Sequence, residues 1–224
     1  VLLATDDEYL LEIAEEPVEI DRFKTGEMNE AADLARSSGA CPVPDTVLGG
    51  ATADHLEQGR RLLEEALKMK PRFAEARLYL GFVRQLKNEP EAAAEAYREV
   101  FLRTDRTVNR AHAAIQLGLL YDRQEESRKA LRIFRWVLAC GLLSRKPEFA
   151  FVLHNIAVAH IALGKLDEAV QMFLRMKTEF PETWEHSKTW LLGAPETLAR
   201  LHNDPAARRF LKESEPALLA ACQG

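Results

Sequence analysis

Between Ala74 and Pro181 apolar residues return every three or four positions in long runs broken by short polar turns, the period of amphipathic helices. The runs come in pairs. They predict helices over Phe73–Lys87 and Glu91–Arg103, over Val108–Arg123 and Ser127–Ala139, and over Glu148–Leu163 and Leu166–Thr178. One pattern is written three times across these pairs. With Gly81, Gly118 and Ala157 as reference points, Leu80, Leu117 and Ile156 stand one residue before, Ala93, Ala130 and Ala169 twelve after, and Tyr97, Phe134 and Phe173 sixteen after. Val100, Val137 and Met176 follow at nineteen, and Pro181 closes the third copy at twenty-four. Two antiparallel helices approach closely only where one presents a small side chain. The glycines and alanines therefore mark the crossings, and the aromatics are expected to fill the gap between one hairpin and the next. A generic helical bundle shares the period but has no reason to repeat glycine, alanine and an aromatic at fixed offsets.

This Leu-Gly, Ala, aromatic, Pro order resembles the signature of the tetratricopeptide repeat (TPR) family, a two-helix unit of roughly 34 residues. The resemblance implies an all-α fold, a TPR-type helical-hairpin solenoid with three clear repeats plus a degenerate one and extra terminal helices. The copies depart from the pattern in places. Successive reference points are 37 and 39 residues apart, so the turns around Asp105–Asn109 and Cys140–Lys146 are expected to be lengthened and to project from one edge. The turn proline is replaced by Asp105 and Leu142, and the aromatic near the end of the first helix survives as Tyr121 but is Arg84 and His160 in the other copies.

Upstream, Thr52–Met69 predicts a helix closed by Pro71, with Gly59, Leu63 and Ala66 in the register of a second helix of a degenerate repeat. Downstream, Glu182–Leu192 carries Trp184 and Trp190, expected as capping core, and Pro195, Pro205 and Pro216 occupy first-turn positions of three short helices. Gly164 suits a left-handed helix end. Residues 1–50 do not follow the repeat. Asp6–Glu15 and Gly26–Ser37, the latter capped by Thr25 and ended by Gly39, are expected as short helices, and Ala40–Gly50 with Pro42, Pro44 and Gly49-Gly50 as a connector. The expected organisation is thus an acidic arm and connector over 1–50, repeats over 51–181 and capping helices over 182–224.

Charge sharpens that division. The 224 residues have a formal net charge of −5, but residues 1–50 hold 12 acidic and 3 basic side chains, a net of −9, while 51–224 hold 27 basic and 23 acidic, a net of +4. Such an arm is either a solvated segment or a partner for the basic residues of the second repeat, Arg128, Lys129, Arg132 and Arg135, with Arg106, Arg110 and Arg145 near them in the chain. Interspersed charges and a negative total argue against nucleic-acid binding. No apolar run is long enough to cross a bilayer, so membrane insertion is not expected. The first residue is Val1, consistent with processing or with a longer parent chain. Cys41, Cys140 and Cys222 are odd in number and widely spaced, which suits incidental thiols in a reducing cytoplasm.

No chemistry-bearing motif stands out, and no catalytic residue, cofactor or metal site is expected. The six histidines include no HExxH pair, and His154 and His160 fall on different faces of one helix. The Gly49-Gly50 pair lacks the lysine and strand of a phosphate loop, and no serine sits in a Gly-x-Ser-x-Gly elbow.

The resemblance implies instead a concave face, lined by the first helices, that receives a peptide or a partner helix. Carried over by offset, its residues are Glu75, Leu78, Phe82, Gln85 and Leu86, then His112, Ile115, Leu119, Asp122 and Arg123, then Phe151, His154, Val158 and Ile161. Members that grip acidic C-terminal tails use lysine, asparagine and arginine where this chain has Leu78, Phe82, Gln116 and Phe151, with Asn155 alone agreeing, so that ligand class is set aside. The face is apolar. A patch of that kind is covered by a partner segment, by the arm through Leu10, Leu11, Ile13 and Val18, or by burial in the twist of the stack. The expected function is a non-catalytic interaction scaffold or adaptor binding an apolar peptide or helix of a protein partner. The alternative is a regulatory or substrate-docking domain of a larger enzyme or multiprotein assembly.

Overall fold

The computed structural model describes residues 51–221, with side chains from Leu56 onward. Every regular element among them is helical. In chain order these are α1 (Ala51–Met69), α2 (Ala74–Leu86), α3 (Pro90–Arg103), α4 (Thr107–Arg123), α5 (Ser127–Ala139), two 3₁₀ turns (Leu142–Ser144 and Pro147–Ala150), α6 (Phe151–Ala162), α7 (Leu166–Glu179), α8 (Pro181–Leu192), α9 (Pro195–Asn203), α10 (Pro205–Ser214) and α11 (Pro216–Ala221). The paired helices are those the apolar period predicts, and the fold is all-α, a succession of TPR-type hairpins. The expected helices of residues 1–50 lie outside the described residues.

The three hairpin turns are one turn built three times. Asn88, Glu125 and Gly164 take left-handed φ values of 59°, 61° and 72°, each seven residues past its reference point. In each turn the next residue's N–H reaches back to a carbonyl five residues earlier: Glu89 to Arg84 at 2.9 Å, Glu126 to Tyr121 at 2.9 Å, Lys165 to His160 at 2.8 Å. This bond, with the one that the left-handed residue's own N–H makes to the carbonyl three residues earlier, satisfies carbonyls that a helix end leaves unpaired. Only the third copy spends a glycine on it.

Two expectations about the turns are corrected. The extra residues around Asp105–Asn109 do not form a long loop, because α4 begins at Thr107 and absorbs them into 17 helical residues. Nor does the stretch after Cys140 project. Gly141 turns the chain with φ of 67°, and Leu142, Leu143, Phe149 and Ala150 are buried. An apolar insertion gains more by folding inward than by facing water.

The chain divides into two compact units, one ending at Gln116 and the other beginning at Leu117. In the first, α2 packs against α1 and α3. A Cβ placed on Gly81 would collide with the Tyr97 ring, so the glycine makes room for an aromatic of its own hairpin. The Tyr97 hydroxyl donates to Gln85 Oε1 at 2.9 Å, and its ring meets Phe82 edge-on at 5.8 Å. Arg77 pairs with Glu99 between α2 and α3. Glu57 of α1 accepts from Arg60 and, at 2.8 Å, from Lys87 beyond α2, and these cations hold its carboxyl well below the usual range.

In the second unit Gly118 makes the same room for the Phe134 ring. The aromatics at these two positions therefore fill space inside their own hairpins. Phe173 is different. It packs against Trp184 at 5.6 Å and Phe210 at 6.1 Å, on α8 and α10. Helices α8 to α11 each open on proline, where a missing N–H costs nothing. Asp204 caps α10 by accepting from the Ala206 and Ala207 amides at 3.0 and 2.9 Å. The buried Glu215 accepts from Trp184 Nε1 at 3.1 Å and Lys177 Nζ at 2.6 Å, tying α7 and α8 to the start of α11.

Candidate partner-binding face

Helix α6 has the sequence FVLHNIAVAHIA and is flanked by α5 and α7. An almost wholly apolar helix is expected to be buried all round. Most of it is: Val152, Leu153, Ile156, Ala157, Ala159, His160 and Ile161 are enclosed. Phe151, His154, Asn155 and Val158 remain only half-buried. Their spacing of three, four and seven residues puts them on one strip, which continues to the exposed Ala162.

The polar members of the strip behave as near-apolar surface. The His154 ring stands edge-on to Trp190 of α8, with centroids 4.9 Å apart and planes at 83°. Its Nδ1 is enclosed and has no hydrogen-bond partner among the described residues. Burial pushes its pKa down to about 4, so the imidazole is neutral at physiological pH. The Asn155 amide nitrogen is likewise enclosed and unpartnered. His160, on the other side of α6, is buried, and burial followed by the Arg135 charge pushes its pKa down as well. It is a core residue.

The other face residues expected from sequence divide by burial. Leu78, Ile115 and Ile161 are 5%, 1% and 3% exposed and belong to the packed interior. In the first unit, Phe82 is half-buried against Tyr79 and Tyr97, Gln85 is engaged by the Tyr97 hydroxyl, and His112 is half-buried. In the second, Leu119 is half-buried and Arg123 exposed, and burial pushes the Asp122 carboxyl pKa up. The residues placed side by side are thus Phe151, His154 and Val158 on α6. Sequence reasoning gave Trp190 no part here, reading it as capping core. At 40% exposure it is half core and half surface, and its contact with His154 joins residues 36 positions apart, which no local period signals. Trp184 is fully enclosed, as expected of a cap.

Among the described residues no three His, Cys, Asp or Glu side chains are grouped to hold a metal, and no helix is long and apolar enough to cross a membrane.

Family comparison agrees with this architecture. Tetratricopeptide repeat models match residues 52–105, which take in most of α1 and all of α2 and α3, and residues 151–183, which take in α6, α7 and the first turn of α8. The α4–α5 hairpin between them carries Gly118 and Phe134 at the offsets of Gly81 and Tyr97. A search of curated proteins finds no match. The chain contains tetratricopeptide repeats, a type of repeat that serves as a scaffold for protein–protein interaction.

Proposed function

We propose that the chain is an adaptor that holds an apolar peptide or amphipathic helix of a partner protein against the α6 strip. The observation that carries this reading is the row Phe151, His154 and Val158, left half-open on a helix whose remaining large side chains are enclosed. Burying those side chains under a partner removes apolar area from water and supplies the driving force without chemistry. Leu119 in the same unit, and Phe82 and His112 in the other, have the same half-buried character and are proposed to serve likewise. Because His154 is already neutral, binding through it is expected to be insensitive to pH between 5 and 8. The acidic-tail ligands gripped by other family members do not suit such a face.

The test is affinity co-purification of the full chain against Phe151→Glu/Val158→Glu, with circular dichroism and thermal melting as the control for folding. The reading expects the double variant to remain helical and to lose its principal partner by at least about tenfold, since two desolvated carboxylates oppose an apolar ligand. A folded variant that retains the same partners at the same yield would refute it.

A further inference from the structure

Helix α1 keeps the register of the second helices but is not packed as they are. Setting Pro71 against Pro181 puts Gly59, Leu62, Leu63 and Ala66 at the offsets of Ala93, Ala96, Tyr97 and Val100 in α3, and of Ala130, Ile133, Phe134 and Val137 in α5. Spacings of three, four and seven residues make each set one strip along its helix. In α3 and α5 the strip is closed, with no member more than 3% exposed. In α1 it is open: Leu62 is 59% exposed, and Gly59, Leu63 and Ala66 are only half-buried. A Cβ placed on Gly59 would meet nothing within 4 Å among the described residues. What α1 lacks is the first helix of its own hairpin. Placed as α2 is placed about Gly81, that helix would run over residues 40–52, which include Pro42, Pro44 and Gly49-Gly50 and so oppose a helix. Helix α1 also begins at Ala51, five residues ahead of the offset at which α3, α5 and α7 begin, and takes up the end of that stretch.

A replacement stands a little further up the chain. The stretch Gly26–Ser37 has 12 residues, the length of α6, and carries Met28, Ala31, Ala32 and Ala35 at the same spacings of three, four and seven. Ala32 is its seventh residue, as Ala157 is of α6. We propose that Gly26–Ser37 docks as an antiparallel helix on the Gly59–Leu62–Leu63–Ala66 strip of α1, with Ala32 against Leu63 as Gly81 is against Tyr97. The fourth repeat is then complete, its two helices separated by an inserted connector. The connector is residues 38–50, which can reach roughly 43 Å at about 3.3 Å per residue, more than twice the roughly 18 Å length of the docked helix. The alanines allow close approach, and covering Leu62 and Leu63 supplies the driving force. Covalent attachment gives the segment an effective concentration that a free helix at micromolar level does not match. A foreign amphipathic helix therefore reaches α1 only by displacing the chain's own. The α6 strip takes no part in this, so the two readings stand or fall separately.

Hydrogen–deuterium exchange of the full chain, read by peptide mass spectrometry, tests this. So short a helix is marginal on its own in water, and slow exchange there reports docking. The proposal expects the amides of residues 28–37 to exchange at least about tenfold more slowly than in a free peptide of residues 20–39, at a rate independent of protein concentration, as a contact within one chain requires. Gly59→Leu fills the crossing without meeting a described neighbour and favours α1 as a helix. It is nevertheless expected to return residues 28–37 to the free-peptide rate while α2 and α3 stay protected. Leu62→Glu, at an exposed position, is expected to do the same. Exchange at the free-peptide rate in the wild type, or protection that neither substitution changes, would overturn the proposal. So would protection that appears only as concentration rises, which marks the segment of a second copy.

Discussion

The hairpins α2–α3 and α6–α7 carry an aromatic at the same offset and use it differently. In the first, Gly81 leaves a gap that Tyr97 enters, and the ring is fixed by Phe82 and by its hydroxyl bond to Gln85. In the second the reference residue is Ala157, and Phe173 joins Trp184 and Phe210 in a cluster with the terminal helices. The repeat therefore fixes where an aromatic stands but not what it packs against. The glycine decides whether room exists within the hairpin, and the chain beyond decides what else is offered.

The largest effect separating the two is expected at Phe173. Phe173→Ala opens a cavity among three rings in a fully enclosed site and is expected to cost about 3–5 kcal/mol. Urea unfolding followed by tryptophan fluorescence measures it, with Trp184 reporting directly on the cluster. A loss below about 1 kcal/mol would mean that the terminal helices do not depend on this ring.

Next in size is the exchange of the small residues. Gly81→Ala forces a methyl into the Tyr97 ring and is expected to destabilise by about 1–3 kcal/mol despite alanine's better helix propensity. Ala157→Gly adds no clash and is expected to cost only about 0.5–1 kcal/mol in helix propensity. Equal costs, measured as shifts in urea midpoint at constant slope, would erase the distinction between the hairpins.

The smallest effect has the opposite sign. Glu125 holds a left-handed backbone that glycine adopts freely, and its side chain is exposed. Glu125→Gly is expected to stabilise by up to about 1 kcal/mol, while Gly164→Ala at the matching turn loses a similar amount. Differential scanning calorimetry resolves both as opposite displacements of the melting temperature.

These contrasts show what was legible in the chain and what was not. Helix pairs, proline-led terminal helices and the left-handed end at Gly164 follow from local period and local backbone chemistry, and they were readable residue by residue. The same turn at Asn88 and Glu125 was hidden because neither residue is glycine, although both lie seven positions past a reference point. The orientation of Tyr97 and Phe134 into their own glycines depends on which space is free, which no period encodes. Burial of Leu142 and Leu143 was signalled by their apolar character but obscured by counting them as surplus turn residues. On the candidate face, offsets selected the half-buried Phe151, His154 and Val158 together with the enclosed Leu78, Ile115 and Ile161, because an apolar residue at a face position reads the same whether the wall is open or packed. The candidate plugs Leu10, Leu11, Ile13 and Val18 lie outside the described residues.

Glu215 imposes a timetable on the molecule. The indole of Trp184 and the ammonium of Lys177 are synthesised 31 and 38 residues ahead of the carboxylate that receives them. At roughly 5–20 residues per second, a nascent chain carries both groups for about two to eight seconds before their acceptor is made. During that interval the indole N–H has only water to donate to. A protease cut just before Glu215 would return a folded molecule to the same unlatched condition, with the Trp184 indole and the Lys177 ammonium again without their shared acceptor.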